Sequence, residues 1–223
     1  MNDNVYFING INWKYLKQYF TGKTSLFRQY QNIFIKLYGK ECKGKVIEIG
    51  ADKFYQYKNY FPNANEYVHT NISGDCDMIL DVTNMCSIAD NSVDTIICIS
   101  VLEHIWEYQR AIDEIERVLK PGGKLLLTVP FGFPIHDKLD YWRFTSEFYT
   151  KKLKKFNILS LTNFGGRLST IVNSLQRPSG KLTLRYCLYK SIGFLIAILA
   201  IRLDILDSFP LGFGIVADKN LSN

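Results

Sequence analysis

Between Lys45 and Pro130 the apolar residues come in short runs, not at one sustained period. The runs fall at 45–50, 66–72, 77–82, 94–100 and 123–130, and most are closed by Gly, Asn, Asp or Pro. Such runs predict strands buried on both faces of a mainly parallel sheet. Between the last two, Tyr108, Ala111, Ile112, Ile115, Val118 and Leu119 recur three and four apart. That spacing predicts a helix, which Lys120-Pro121-Gly122-Gly123 then ends. Strands alternating with helices define an α/β chain, Rossmann-like, with helices on both faces of the sheet.

The flanks read differently. In SLFRQYQNIFIKLYGK, Leu26, Phe27, Tyr30, Ile33, Phe34 and Leu37 fall on one helical stripe, with Arg28, Gln29 and Gln31 off it. Ser25 suits the N-cap and Gly39 the stop. Beyond Arg143, Thr145 or Ser146 caps another helix with Glu147 in its first turn. Runs at 156–164 and 213–219 read as two further strands. Between them, Ile192–Ile201 is an apolar stretch of ten residues, short of the roughly 20 that span a bilayer. It reads as a core helix, with a helix lying on a membrane surface as the alternative. The expected division is an N-terminal helical extension over residues 1–43 and one domain over 44–223, carrying a helical insertion at about 165–208.

Charge is segregated along the 223 residues. Residues 1–44 carry 7 basic and 2 acidic side chains, 45–150 carry 9 and 16, and 151–223 carry 11 and 3. An acidic centre argues against a polyphosphate ligand and suits a cationic or neutral one. The basic flanks suit an anionic substrate, nucleic acid or a peripheral membrane contact, or are a solvated lysine-rich surface. The five cysteines form neither C-x-x-C nor a zinc spacing. No metal is expected, and a reducing, cytoplasmic compartment is.

In parallel sheets the ligand crevice lies at the carboxyl ends of the strands. This gathers Gly50–Asp52, Asn71, Asp81 and the segment Ser100-Val101-Leu102-Glu103-His104 around one mouth. The first strand ends in Glu48-Ile49-Gly50, and Ala51-Asp52-Lys53 follows where a phosphate loop would place more glycine. A dinucleotide enzyme is therefore disfavoured. Taken in order, VIEIGA, YVHTNI, DMILDVTNM, NSVDTIICISVLEHI, AIDEIERVLKPGGKLLLTVPF and DYWRFTSE, over about residues 44–155, resemble the class I S-adenosylmethionine-dependent methyltransferases of the type 11, small-molecule group.

The resemblance implies a seven-stranded sheet whose last strand is antiparallel, and S-adenosylmethionine as cofactor. It implies that Glu48 orients the first loop or meets the methionine ammonium, while Gly50 and Ala51 pass close to the cofactor. Asn71 stands where the family carries an acidic ribose ligand, and Asp81 with Val82 stands at the adenine. Ser100, Val101, Glu103 and His104 form the floor beneath the methyl group. Plainer roles remain open: a salt bridge or cap for Glu48, a turn cap for Asp81, and a strand-to-helix tie for Glu103 and His104.

The loop PFGFPIHDKLDYWRFT follows the fifth strand, where an acceptor would approach. It carries His136, Asp137, Asp140, Tyr141 and Arg143. A hydroxyl acceptor benefits from a base active near neutral pH, so His136 is the first candidate and His104 the second. The alternative for His136 is a loop imidazole bonded to backbone. SVLEHI lacks the paired prolines that hold a nucleobase amine, and no Pro-Cys nucleophile occurs. Nucleic acid is disfavoured as a partner. The expected function is methyl transfer to a small-molecule or sugar/glycan-type acceptor, at oxygen. The alternative is an inactive methyltransferase-like binding module, suggested by the departures at Asp52 and Asn71.

Overall fold

The computed structural model describes residues 5–8, 24–51, 57–175, 184–203 and 209–221. Eight strands among them form one sheet: β1 Val5–Ile8, β2 Lys43–Ile49, β3 Asn63–Asn71, β4 Met78–Ile79, β5 Val93–Ile99, β6 Leu119–Pro130, β7 Phe156–Phe164 and β8 Gly212–Lys219. The helices are α1 Leu26–Tyr38, α2 Tyr108–Val118, α3 Ser146–Lys152, α4 Arg167–Leu175 and α5 Leu184–Leu203. Sheet order is β1-β7-β8-β6-β5-β2-β3-β4. Only β8 runs against its neighbours, β6 and β7. Strand β2 lies between β3 and β5, so chain direction across the sheet reverses there, and a crevice opens at its carboxyl end.

Alternation along the strands feeds two cores. Ile96 and Cys98 face the layer of α2 and α3, where Ala111, Ile112, Ile115 and Tyr149 are buried. Ile97 and Ile99 face α1, α4 and α5, where Phe34, Val172 and Ala197 are buried. Gly214 of β8 is where the second layer fits most closely. A Cβ there would lie 2.7 Å from the Phe34 ring and 2.8 Å from Phe164. With no side chain in the way, Phe27, Tyr30 and Phe34 bury their rings, each worth about 1.5–3 kcal/mol.

Several expectations change. The helical N-terminal extension also holds β1, which pairs in parallel with β7 and makes an eighth strand; at four residues it is too short to show a period. Strand β4 shrinks to two residues. Helix α2 stops at Val118, and Leu119 pairs instead with Val93 at the start of β6. Ser25 caps α1 by accepting from Arg28 N at 3.1 Å, and Thr145 caps α3. The α1 stripe is shifted: Gln29, Gln31 and Ile35 are buried, whereas Leu37 is exposed. The apolar stretch 192–201 lies within α5, its Ala197 buried and its Ile192, Leu195 and Leu199 exposed. Among the described residues no helix is long and apolar enough to cross a membrane.

Candidate active site

The turn after β2 is set by one glycine. Gly50 has φ +71°, the left-handed region that side chains resist, and a Cβ there would meet Val101 Cγ2 at 2.5 Å. Ala51 N donates to Thr70 O at 2.9 Å, and Thr70 Oγ1 donates to Glu48 O at 2.9 Å. These bonds tie the ends of β2 and β3 together. The Glu48 side chain is buried, and its Oε2 accepts from the Tyr67 hydroxyl at 2.6 Å. Burial, and then the Glu48 charge, push the Tyr67 hydroxyl well above its ordinary pKa, so it stays a donor. Asp52 lies outside the described residues.

At the end of β3, Asn71 Oδ1 accepts from Ile72 N at 2.8 Å. Asp81 Oδ1 accepts from both Thr83 N and Thr83 Oγ1 at 2.8 Å. The turn-cap role is therefore real for Asp81, and its Oδ2 takes no hydrogen bond among the described residues. Ser100 closes β5 with φ +54°, an uncommon conformation for a residue with a side chain. Its N donates to Thr128 O at 2.9 Å, and its Oγ accepts from Gln31 Nε2 at 2.6 Å. Gln31 Nε2 also reaches Thr128 Oγ1 at 2.8 Å. A buried amide from α1 thus pins the strained strand end from below.

These strand ends border a cleft of about 610 Å³. Gly50, Asn71, Asp81, Val82, Ser100 and Val101 lie on its wall, as does His104. Trp106 and Tyr141 form an exposed aromatic rim, their rings 5.5 Å apart and edge to face. Glu48, Ala51, Glu103 and His136 are not part of the wall. Tyr141 was expected in the loop where an acceptor would approach, whereas Trp106 and Gln31 are contributors not singled out from the sequence. Gln31 was hidden by the phase of the α1 stripe. Trp106 directly follows the SVLEHI segment, with no spacing to mark it.

Beside the cleft, the two candidate histidines meet, ring centroids 5.1 Å apart. His104 Nδ1 lies 2.6 Å from Leu139 O. His136 Nδ1 lies 3.2 Å from Asp140 Oδ2. Asp140 receives both terminal nitrogens of Arg143, Nη2 at 2.8 Å, and the backbone N of His136 at 3.2 Å. Arg143 also donates to the carbonyls of Phe133 and Trp142. This clamp closes the loop after β6 on itself. Loop and wall are joined by Tyr141 N and Trp142 N, which donate to Glu103 O, and by Trp142 Nε1, which donates to Ile105 O.

A mainly parallel sheet with this strand order, a left-handed glycine turn after β2, and a cleft at the switch point define the class I methyltransferase fold. A family model described as a methyltransferase domain matches residues 44–127. Two curated relatives share short segments. An uncharacterized protein of Methanocaldococcus jannaschii is 50% identical over 40 residues, 18% of this chain and 17% of the relative. A probable S-adenosylmethionine-dependent methyltransferase of Mycolicibacterium smegmatis is 42% identical over 41 residues, 18% and 16% of the two chains. The match thus spans about a sixth of each relative's length.

Solved structures extend the likeness of fold. The cyclase SpnF superposes with a TM-score of 0.59 at 18% identity, over 90% of this chain and 85% of its own. A SAM-dependent methyltransferase from Archaeoglobus fulgidus gives 0.58 at 13%, over 93% and 100%. A methyltransferase from Haloferax volcanii, solved with the activator Trm112, gives 0.58 at 12%, over 85% and 91%.

Proposed function

We propose that this chain binds S-adenosylmethionine in the cleft after β2 and transfers its methyl group to a hydroxyl of a small-molecule or sugar-type acceptor. The observation that carries the reading is the cleft itself: about 610 Å³ at the sheet's switch point, entered over one left-handed glycine. When bound, the cofactor supplies a methyl group on a sulfonium, open to in-line displacement.

The chain's part is holding and orientation. Gly50 lets backbone approach the cofactor where any side chain would strike Val101. The Asn71 amide reaches the ribose hydroxyls, with one neutral contact in place of a carboxylate's charge-assisted pair. Asp81 Oδ2 is the acceptor left for the adenine amino group. Ser100 and Val101 form the floor beneath the reacting carbon. His104, on the wall, orients the acceptor hydroxyl, and the Trp106–Tyr141 rim offers apolar faces to a sugar ring. Calorimetric titration with S-adenosylmethionine and with its demethylated product tests the reading. Binding of either supports it; failure of both at millimolar concentration refutes it. Labelled cofactor with fractionated extract then shows which pool gains the methyl group.

A further inference from the structure

Glu103, His104 and His136 each bring one ligand-type atom to within 4.8 Å of the others. Glu103 is the informative member. Its side chain is fully buried, and neither carboxylate oxygen has a hydrogen-bond partner among the described residues. A buried carboxylate is costly unless it is paired, coordinated or protonated. Its closest opposite group is the imidazole of His104, with Nε2 3.8 Å from Oε1.

Both rings are oriented by their other nitrogen. His104 Nδ1 is bonded to the Leu139 carbonyl, and His136 Nδ1 faces the Asp140 carboxylate that Arg143 clamps. A proton on each Nδ1 leaves each Nε2 with a lone pair. This is the outer arrangement that metal-ligating histidines use, one ring N–H donating to a carbonyl or carboxylate.

We propose that Glu103, His104 and His136 form a site for one divalent first-row transition ion, with open coordination positions toward the cleft that His104 lines. Two imidazoles and one carboxylate suit Zn²⁺ or Fe²⁺ over the oxygen-seeking Ca²⁺ and Mg²⁺. Donors held at about 2.0–2.2 Å from an ion lie roughly 3–4 Å from one another, so the cluster closes on an ion by small side-chain rotations. The ligands come from the turn after β5 and from the loop after β6, which explains why no ligand spacing shows in the sequence. With the ion in place the imidazoles act as ligands and not as proton acceptors, and its open positions hold the acceptor oxygen. Only that last consequence rests on the methyl-transfer reading; binding of the ion does not.

The test uses the full chain, stripped with chelator, with no cofactor or acceptor present. Zn²⁺ is titrated by calorimetry, and Co²⁺ by visible absorption. One ion per chain at micromolar affinity or tighter is expected, with Co²⁺ d–d bands and without the near-ultraviolet band of thiolate ligands. His136→Asn and Glu103→Gln should each weaken binding by at least about tenfold. His69→Asn, at the separate His69–Asp77 pair, should leave it unchanged. Should Glu103→Gln fail to fold, His136→Asn decides, because that side chain sits on an exposed loop. Absence of binding below millimolar Zn²⁺, thiolate absorption, or affinity indifferent to His136→Asn overturns the proposal. Absence of binding would leave Glu103 as a protonated acid beside Tyr149, whose buried hydroxyl also has no partner among the described residues.

Discussion

Replacing Asp140 by Asn tests whether the loop after β6 is held by charge. The Asp140 side chain is fully buried, and Arg143, its partner, is 24% exposed. The paired Arg143 N–H groups, more than any other influence, hold the Asp140 carboxyl at about 2 against an ordinary 3.8. At about 1.4 kcal/mol per pH unit that gap stabilises the folded state by about 2 kcal/mol at pH 7. Because the folded value lies below the unfolded one, the contribution is complete above pH 5. It declines as pH falls through 3.8 toward 2, with about half remaining at pH 3.

Asp140→Asn keeps the shape and removes the charge, leaving Arg143 half-buried without its anion. Urea unfolding of the chelator-treated protein at pH 7, 5, 4 and 3 should show a deficit of about 2 kcal/mol at neutral pH that narrows with acid. Adding Arg143→Met to Asp140→Asn should recover part of the loss, because the unpaired cation goes with it. A deficit under about 0.5 kcal/mol, typical of an exposed pair, or one that stays constant from pH 7 to 3, would refute the reasoning.

Three further outcomes follow from the cleft and its support. Gly50→Ala should abolish measurable S-adenosylmethionine binding in the same titration and lower stability by about 1–2 kcal/mol from the left-handed backbone alone; adding Val101→Ala should relieve the clash and restore only part of the loss. Asn71→Asp should tighten cofactor binding about tenfold, worth about 1.4 kcal/mol, because a carboxylate accepts charge-assisted bonds from ribose hydroxyls; unchanged or weaker binding would remove Asn71 from the ribose contact. Gln31→Leu strips Ser100 and Thr128 of their shared donor and should cost about 1–2 kcal/mol in denaturant unfolding, with cofactor affinity falling as Ser100 relaxes from φ +54°.

The sheet was legible because its strands are buried on both faces and its turns carry breakers. Phe156–Phe164 emerges with the bounds its apolar run suggests, and Gly212–Lys219 within one residue. What failed to show was whatever tertiary packing decides. Strand β1 exists because β7 offers a free edge, not because four residues have a period. The α1 stripe turned out of phase because Gln31 is held by polar partners on β5 and β6, and a hydrophobic pattern cannot register an attraction between hydroxyls and an amide. Ser100 gives no hint in composition that its backbone is left-handed.

The site divides along the same line. Gly50, Asn71, Asp81 and Ser100 were readable because each sits at the end of a strand, and strand ends in a parallel sheet converge whatever the loops do. Glu103 and His136 were named from the sequence for different tasks, one as cleft floor and one as base, since their neighbours in the chain suggested nothing joint. The fold gives them one location. Residues 133–145 are drawn back against the turn after β5 by Tyr141 and Trp142, and the Asp140–Arg143 clamp then fixes His136 beside His104. The chemistry at this mouth is thus set by a loop closure that neither segment encodes alone. For that reason Asp140, which need touch neither cofactor nor acceptor, is the residue whose loss should disperse the cluster while leaving the rest of the cleft intact.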